Sequence, residues 1–290
     1  MASTPQPTGP RSPHKIQIAC STGIRSTESL ERACALVKAL GFKSVDPLAM
    51  EGWHIKPSRL VQDAAAEARR LSALLKQLDL QCAAINLGFV HNLARCTPEQ
   101  FQVNLQVVRG ACVLARAAGT NILTVGTGGT GEEPRRAVVD RLVDRLGQVV
   151  SAASEDAAAP MTVALETHAG SVAVYPKVAR ELVARCPGLK LTYDPSHFIA
   201  DQVPVGETLD LLPHTAHVHL RNARVGHFQE TMDKGLLDLP WIVDQIVASG
   251  YRGVVSIEYI QDCGGIEEGY EVADETLALK QLLLDKGLTL

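Results

Sequence analysis

A single (β/α)8 barrel, an α/β fold with a parallel eight-stranded core and outer helices, is the architecture this chain predicts. Three observations lead there: eight short apolar runs, longer helix-patterned stretches between them, and no linker interrupting the alternation. The 290 residues exceed the roughly 250 that such a barrel needs. With 46% hydrophobic residues, the chain can bury a large core.

The runs, in order, are IQIACSTG, SVDPLAM, CAAINLGF, ILTVGTGG, TVALETHAG, LKLTYDPSH, AHVHLRNA and GVVSIEYI. They are β-branched or alternating, as buried parallel strands are. Helical periodicity marks SLERACALVKALG, the stretch 60–79, FQVNLQVVRGACVLARAAG, RRAVVDRLVDRLGQVVSAAS and LPWIVDQIVASG. A last helix, DETLALKQLLLDKG, follows the eighth run. Gly41, Gly119 and Gly250 each stand where a helix ends and a strand follows, the position of a glycine C-cap. Repeated βα units make a parallel sheet, and eight of them close into a barrel. An open, doubly wound, two-lobed sheet is the rival, and eight near-equal units favour the barrel. The barrel domain is expected over 15–290. The segment 1–14, MASTPQPTGPRSPH, lacks the apolar core of a signal peptide and reads as a disordered or tag-like tail.

Composition narrows the partners. A formal net charge of −4 without a basic cluster argues against nucleic acid or an anionic membrane surface. No apolar run approaches the ~20 residues that span a bilayer. The seven cysteines are odd in number and scattered, without a C-x-x-C pair. That points to a reduced, cytoplasmic protein whose cysteines mostly fill the core.

In a parallel barrel the chemistry sits at the C-terminal ends of the strands. The last four runs all end in metal-type ligands: Glu166 and His168, then Asp194 and His197, then His217 and His219, then Glu258. A carboxylate in an apolar strand is costly unless paired or bound to a cation, and three converging ones repel each other. A divalent ion held by Glu166, Asp194, His219 and Glu258 resolves both problems. Three oxygens and one nitrogen suit manganese first, with magnesium or cobalt close behind, better than they suit a closed structural zinc site. Zinc is kept as an alternative. Taken singly, each of these residues reads as a satisfied core or rim group; four on successive strand ends do not.

With those residues in place, the chain resembles the xylose isomerase-like barrel superfamily. The resemblance is to its sugar phosphate isomerase/epimerase group, related to tagatose epimerases, hydroxypyruvate isomerases and endonuclease IV. The matching residues are Glu166 in LETH, Asp194 and His197 in YDPSH, His219 in HVHLRN and Glu258 in SIEY. The resemblance spans nearly the whole chain after the tail and includes GLLDLPWIVDQIVASGYRG. It implies that the two Glu, the Asp and the His bind a metal, that both Glu also act as acid and base, and that His197 contacts substrate. Two departures stand out. His219-Leu220-Arg221-Asn222 occupies the place of H-x-K-D, and Arg224 lies one residue away from the spacing of the epimerases' substrate-binding arginine.

The expected reaction is proton transfer beside a carbonyl, with Glu166 and Glu258 as catalytic groups and the metal holding enediolate oxygens. The substrate is a small carbohydrate or keto-sugar. Other substrate-binding candidates are His168, Arg221, Arg224, Trp53, His54 and His91. Trp53 can stack on a sugar face, and the arginines can grip hydroxyl, carboxylate or phosphate. Packing, loop-anchoring or surface roles remain open for each. His217 lies one layer deeper than His219 and is expected to pack or to support its neighbours, and Asn86 stands toward the end of the third run. GTGGTG at 126–131 matches G-x-G-x-x-G, but it follows the fourth strand and no ribose-binding acid is evident. A lid or a backbone approach to substrate fits it better than a nucleotide.

Alternatives are a metal-dependent lyase or dehydratase acting on keto-sugars, inositol ketones or C-glycosides, a low-ranked endonuclease IV-like phosphodiesterase, and a non-catalytic sugar-binding barrel. The barrel exterior also offers surface for a homo-oligomer.

Overall fold

The structure is a computed structural model, and it describes residues 16–133, 135–261 and 271–290. The tail expected at 1–14 and Cys263 lie outside those residues.

The eight apolar runs form strands, and two of them are broken. The barrel strands are β1 (Gln17–Ser21), β2 (Ser44–Asp46), β3 (Leu48–Ala49), β4 (Gln81–Cys82), β5 (Ile85–Leu87), β6 (Ile122–Val125), β7 (Thr162–Glu166), β8 (Lys190–Tyr193), β9 (Thr215–Leu220) and, after a hairpin, β12 (Val254–Ile257). All pair in parallel, in the order β3-β5-β6-β7-β8-β9-β12-β1-β2-β4. Only Pro47 separates β2 from β3, and only Ala83 and Ala84 separate β4 from β5. Because β2 pairs with β4 and β3 with β5, the two ends of the ladder are the same pair of interrupted strands. The sheet therefore closes on itself as an eight-position barrel. Pro47 explains one interruption, since a proline has no N–H to give to the ladder.

The helices are α1 (Leu30–Ala39), α2 (Pro57–Leu78), α3 (Pro98–Ala118), α4 (Arg135–Ala153), α5 (Pro176–Arg185), α6 (Pro195–Ala200), α7 (Leu239–Ala248) and α8 (Val272–Asp285). Four of them begin on proline, whose missing N–H costs nothing in the first helical turn. Thr97 and Gln100 close a reciprocal capping box on α3. Gly41, Gly119 and Gly250 all take positive φ at the ends of their helices, as helix C-caps do. Helix α2 starts earlier than its periodicity suggests and is kinked at Asp63, whose carboxylate accepts from Ala66 N at 2.9 Å. A short antiparallel hairpin, β10 (Asn222–Arg224) and β11 (His227–Glu230), follows β9. Among the described residues, six cysteines are free and buried, in keeping with a core role.

Candidate active site

Strand alternation sets the site. His217 and His219 are two apart on β9 and so face the same side of the sheet. Both reach Asp46 on β2, three places around the barrel. A contact between strands so far apart in the ladder crosses the interior, so all three side chains point inward. Glu166 is the last residue of β7, Asp194 follows β8, and Glu258 follows β12. These positions are the C-terminal mouth.

There the structure gathers Glu166, Asp194, His219 and Glu258, with one ligand-type atom from each lying within 4.8 Å of all the others. All four are buried. His219 Nδ1 is 2.8 Å from Glu166 Oε1 and 3.2 Å from Glu258 Oε2. Three carboxylates and one imidazole nitrogen converging out of water form a donor set that fits a divalent ion.

The electrostatics show how the protein holds this cluster. Burial opposes ionisation of Glu166, but the hydrogen bond and charge of His219 outweigh it and hold the carboxyl well below the usual range. Burial pushes Asp194 up; the Arg221 guanidinium opposes this, while Glu166 and Glu258 add to it. His219 is the reverse case: burial disfavours its charge, yet Glu258, Asp46 and Glu166 raise it well above the imidazole range.

Arg221 threads into the cluster and is 1% exposed. Its guanidinium donates to Asp194 Oδ2 (2.9 Å), to the Glu258 carbonyl (2.8 Å) and to Ser196 Oγ (3.2 Å), and it lies 3.0 Å from Glu258 Oε2. Arg221, expected to grip substrate, thus directs its guanidinium into the cluster, where it partly balances the carboxylates. Asn86 Nδ2 donates to Glu258 Oε1 at 2.7 Å, so both oxygens of Glu258 are engaged. Glu166 by contrast lines an open cavity.

That cavity, about 400 Å³, is bounded by Glu166, His168, His91, Asn86, Phe89 and the Gly126–Gly129 loop, among others. The fourth-strand glycines therefore approach the cavity as backbone. A Cβ on Gly128 would lie 2.6 Å from Asn92 Nδ2, and its φ is +75°. Asn92 in turn donates to Gly129 O at 2.9 Å.

His197 is wholly buried beside His168, with ring centroids 4.0 Å apart. Burial pushes its pKa well down, helped by the nearby charges of His168 and Arg221. Its Nε2 accepts from Arg221 Nη2 at 3.1 Å, which leaves Nδ1 as the protonated nitrogen of the neutral ring. Among the described residues, that Nδ1 has no partner.

Three other candidates sit elsewhere. His54 uses both ring nitrogens on Thr22 Oγ1 and Arg25 O, each at 2.9 Å. It clamps the turn Thr22–Arg25 and has no nitrogen left for a substrate. Arg224 is held by Glu230 across the hairpin at 2.6 Å. Trp53 is half-buried and does not line the cavity with its neighbour Met50. Two residues that sequence reasoning passed over complete the site. Asp46 bonds both histidines, and its signal was a lone acid in an apolar run. Phe228 on β11 lies 5.0 Å from both the His197 ring and the Arg221 guanidinium; no sequence signal marks it.

A barrel with this polar mouth defines a class, and comparison with known proteins agrees. Residues 34–282 match the family described as Xylose isomerase-like TIM barrel, and the chain belongs to that family. No curated protein matches its sequence significantly. Among solved structures, a 3-keto-D-glucoside 4-epimerase from E. coli is 16% identical, with a TM-score of 0.72, over 92% of this chain and 100% of that one. An L-ribulose 3-epimerase is 17% identical, with a TM-score of 0.74, over 94% of each chain. The probable 3-DHS dehydratase AsbF from Bacillus anthracis is 18% identical, with a TM-score of 0.68, over 93% of this chain and 99% of that one. At these identities the likeness is one of fold.

Proposed function

We propose that this protein is a divalent-metal-dependent sugar isomerase or epimerase that moves a proton on the carbon beside a carbonyl. The observation that carries the reading is the convergence of Glu166, Asp194, His219 and Glu258 beside a cavity of sugar size. The three oxygens and one nitrogen favour manganese, magnesium or cobalt. A divalent ion bound there supplies Lewis-acid polarisation of a carbonyl oxygen.

The chain's own residues supply the rest. Glu166 is the ligand that also lines the cavity, so it is the first base. Epimerisation needs a second group to return a proton to the other face, and that role falls to Glu258, the other glutamate of the cluster. Asn86 and Arg221 hold it in one orientation. His197 lies behind the cavity-lining His168 and carries a buried, unpaired Nδ1–H; leaving such a donor unpaired costs about 1–3 kcal/mol, which a substrate oxygen admitted past His168 would recover. His168 and His91 line the cavity and contact sugar hydroxyls. The substrate is a small carbohydrate or keto-sugar.

The test is a manganese-reconstituted screen of free sugars, keto-sugars and their phosphates in heavy water, read by mass and NMR. Deuterium on a carbon next to the carbonyl, without loss of mass from the skeleton, is the expected result. Loss of water or of an aglycone would replace the isomerase reading with a lyase acting through the same groups. No exchange with any member of the panel would count against proton transfer altogether.

A further inference from the structure

We propose that Asp46 is a positioning residue that fixes the tautomer and ring orientation of His219, so that Nδ1 is the nitrogen turned toward the three carboxylates. The inference rests on the metal site proposed above and adds a part that the four ligands do not contain.

Asp46 is the last residue of β2, directly before Pro47, and is fully buried in the barrel interior. Proline restrains the residue before it to extended backbone, which keeps Asp46 in strand geometry at the point where the strand breaks. Its Oδ2 lies 2.7 Å from His217 Nε2 and 3.2 Å from His219 Nε2. An ionised carboxylate only accepts hydrogen bonds, so each histidine must donate its Nε2–H to it. For His219 this leaves one arrangement. Nε2 carries a proton and points down to Asp46; Nδ1 points up, 2.8 Å from Glu166 and 3.2 Å from Glu258. Rotating the ring by half a turn about Cβ–Cγ would put Cδ2 and Cε1 in the places of Nδ1 and Nε2, losing the bond to Asp46 and turning carbon toward the carboxylates.

His217 has no ligand role in this scheme. It lies one layer below His219, edge-on to it with centroids 5.1 Å apart, and holds Asp46 Oδ2 by the shorter of the two bonds. Asp46 thus acts through His219, and His217 steadies Asp46. Carboxylate partners of this kind orient metal-binding histidines, and their loss typically weakens metal affinity 10–100-fold.

The experiment is Mn²⁺ titration by calorimetry on the full chain, comparing wild type, Asp46→Asn and His217→Gln, with unfolding midpoints of the metal-free proteins measured alongside. The expected result is a 10–100-fold weaker Kd for Asp46→Asn and a smaller loss for His217→Gln. Equal affinity in wild type and Asp46→Asn overturns the role of Asp46 while leaving the metal site standing. A wild-type chain that binds no Mn²⁺ overturns both. A second measurement needs no variant: ¹⁵N NMR of the imidazoles in the Zn²⁺-loaded wild type. Protonated Nε2 with unprotonated Nδ1 at His219 supports the proposal, even if Asp46→Asn fails to fold. The opposite tautomer overturns it.

Discussion

His54 and His197 are both buried imidazoles, yet their nitrogens are committed differently. His54 is satisfied twice by the turn after β1, whereas His197 keeps one buried N–H unpaired. Replacing His54 with Ala is therefore expected to cost stability, about 2 kcal/mol for two lost hydrogen bonds, and to leave KM near the wild-type value. Chemical unfolding and steady-state kinetics read the two effects separately; a large rise in KM at unchanged stability would return His54 to the substrate. The cysteines give a pH-dependent prediction. Burial pushes the Cys34 thiol up to about 12 and that of Cys112 up to about 11. A raised thiol pKa keeps the unreactive protonated form at every pH below it. Neither should react with a disulfide reagent in the folded protein at pH 8, and both should react once it unfolds. Rapid labelling of the native protein at that pH would contradict their burial. At this scale the acids that converge at the mouth stand out in the sequence because each breaks an apolar run at a strand end. Asp46 breaks one in the same way and could have been found by the same argument. Arg221 could not, because nothing in HVHLRN distinguishes an arginine reaching for substrate from one turned in upon Asp194 and Glu258.

Among the elements, the loop after β6 is constrained in two ways. Gly128 needs both its positive φ and the space beside Asn92. Gly128→Ala should displace this cavity wall and raise KM several-fold. A strained left-handed alanine costs about 1–2 kcal/mol, so the overall fold should persist. An unchanged KM would detach the loop from the substrate site. The strands and the long amphipathic helices followed from periodicity. Helix α5 was not singled out, although Pro176 at its first position is a start signal. The β10–β11 hairpin, which brings Phe228 to the histidine pair, is too short for any period to show.

Over the whole molecule, the four proposed ligands come from four neighbouring barrel positions, β7, β8, β9 and β12. An ion held there ties these strands together only in the folded state. Ligand present at 100 times its Kd stabilises by about 2.7 kcal/mol, which for a chain of this size raises the unfolding temperature by roughly 5 °C. Manganese should produce that rise in thermal melts, and Glu258→Gln should diminish it. Barrel closure was legible from the eight-fold βα count. That two strands are interrupted was not, since Pro47 reads as a strand break only once β3 is seen to continue the same ladder against β5.

The proposed chemistry requires one ion among Glu166, Asp194, His219 and Glu258, and anomalous diffraction from manganese-soaked crystals tests this directly. One strong peak is predicted within about 2.5 Å of His219 Nδ1 and of a carboxylate oxygen from each of Glu166, Asp194 and Glu258. The same crystals carrying no peak there, or a peak bound by other residues, would contradict it.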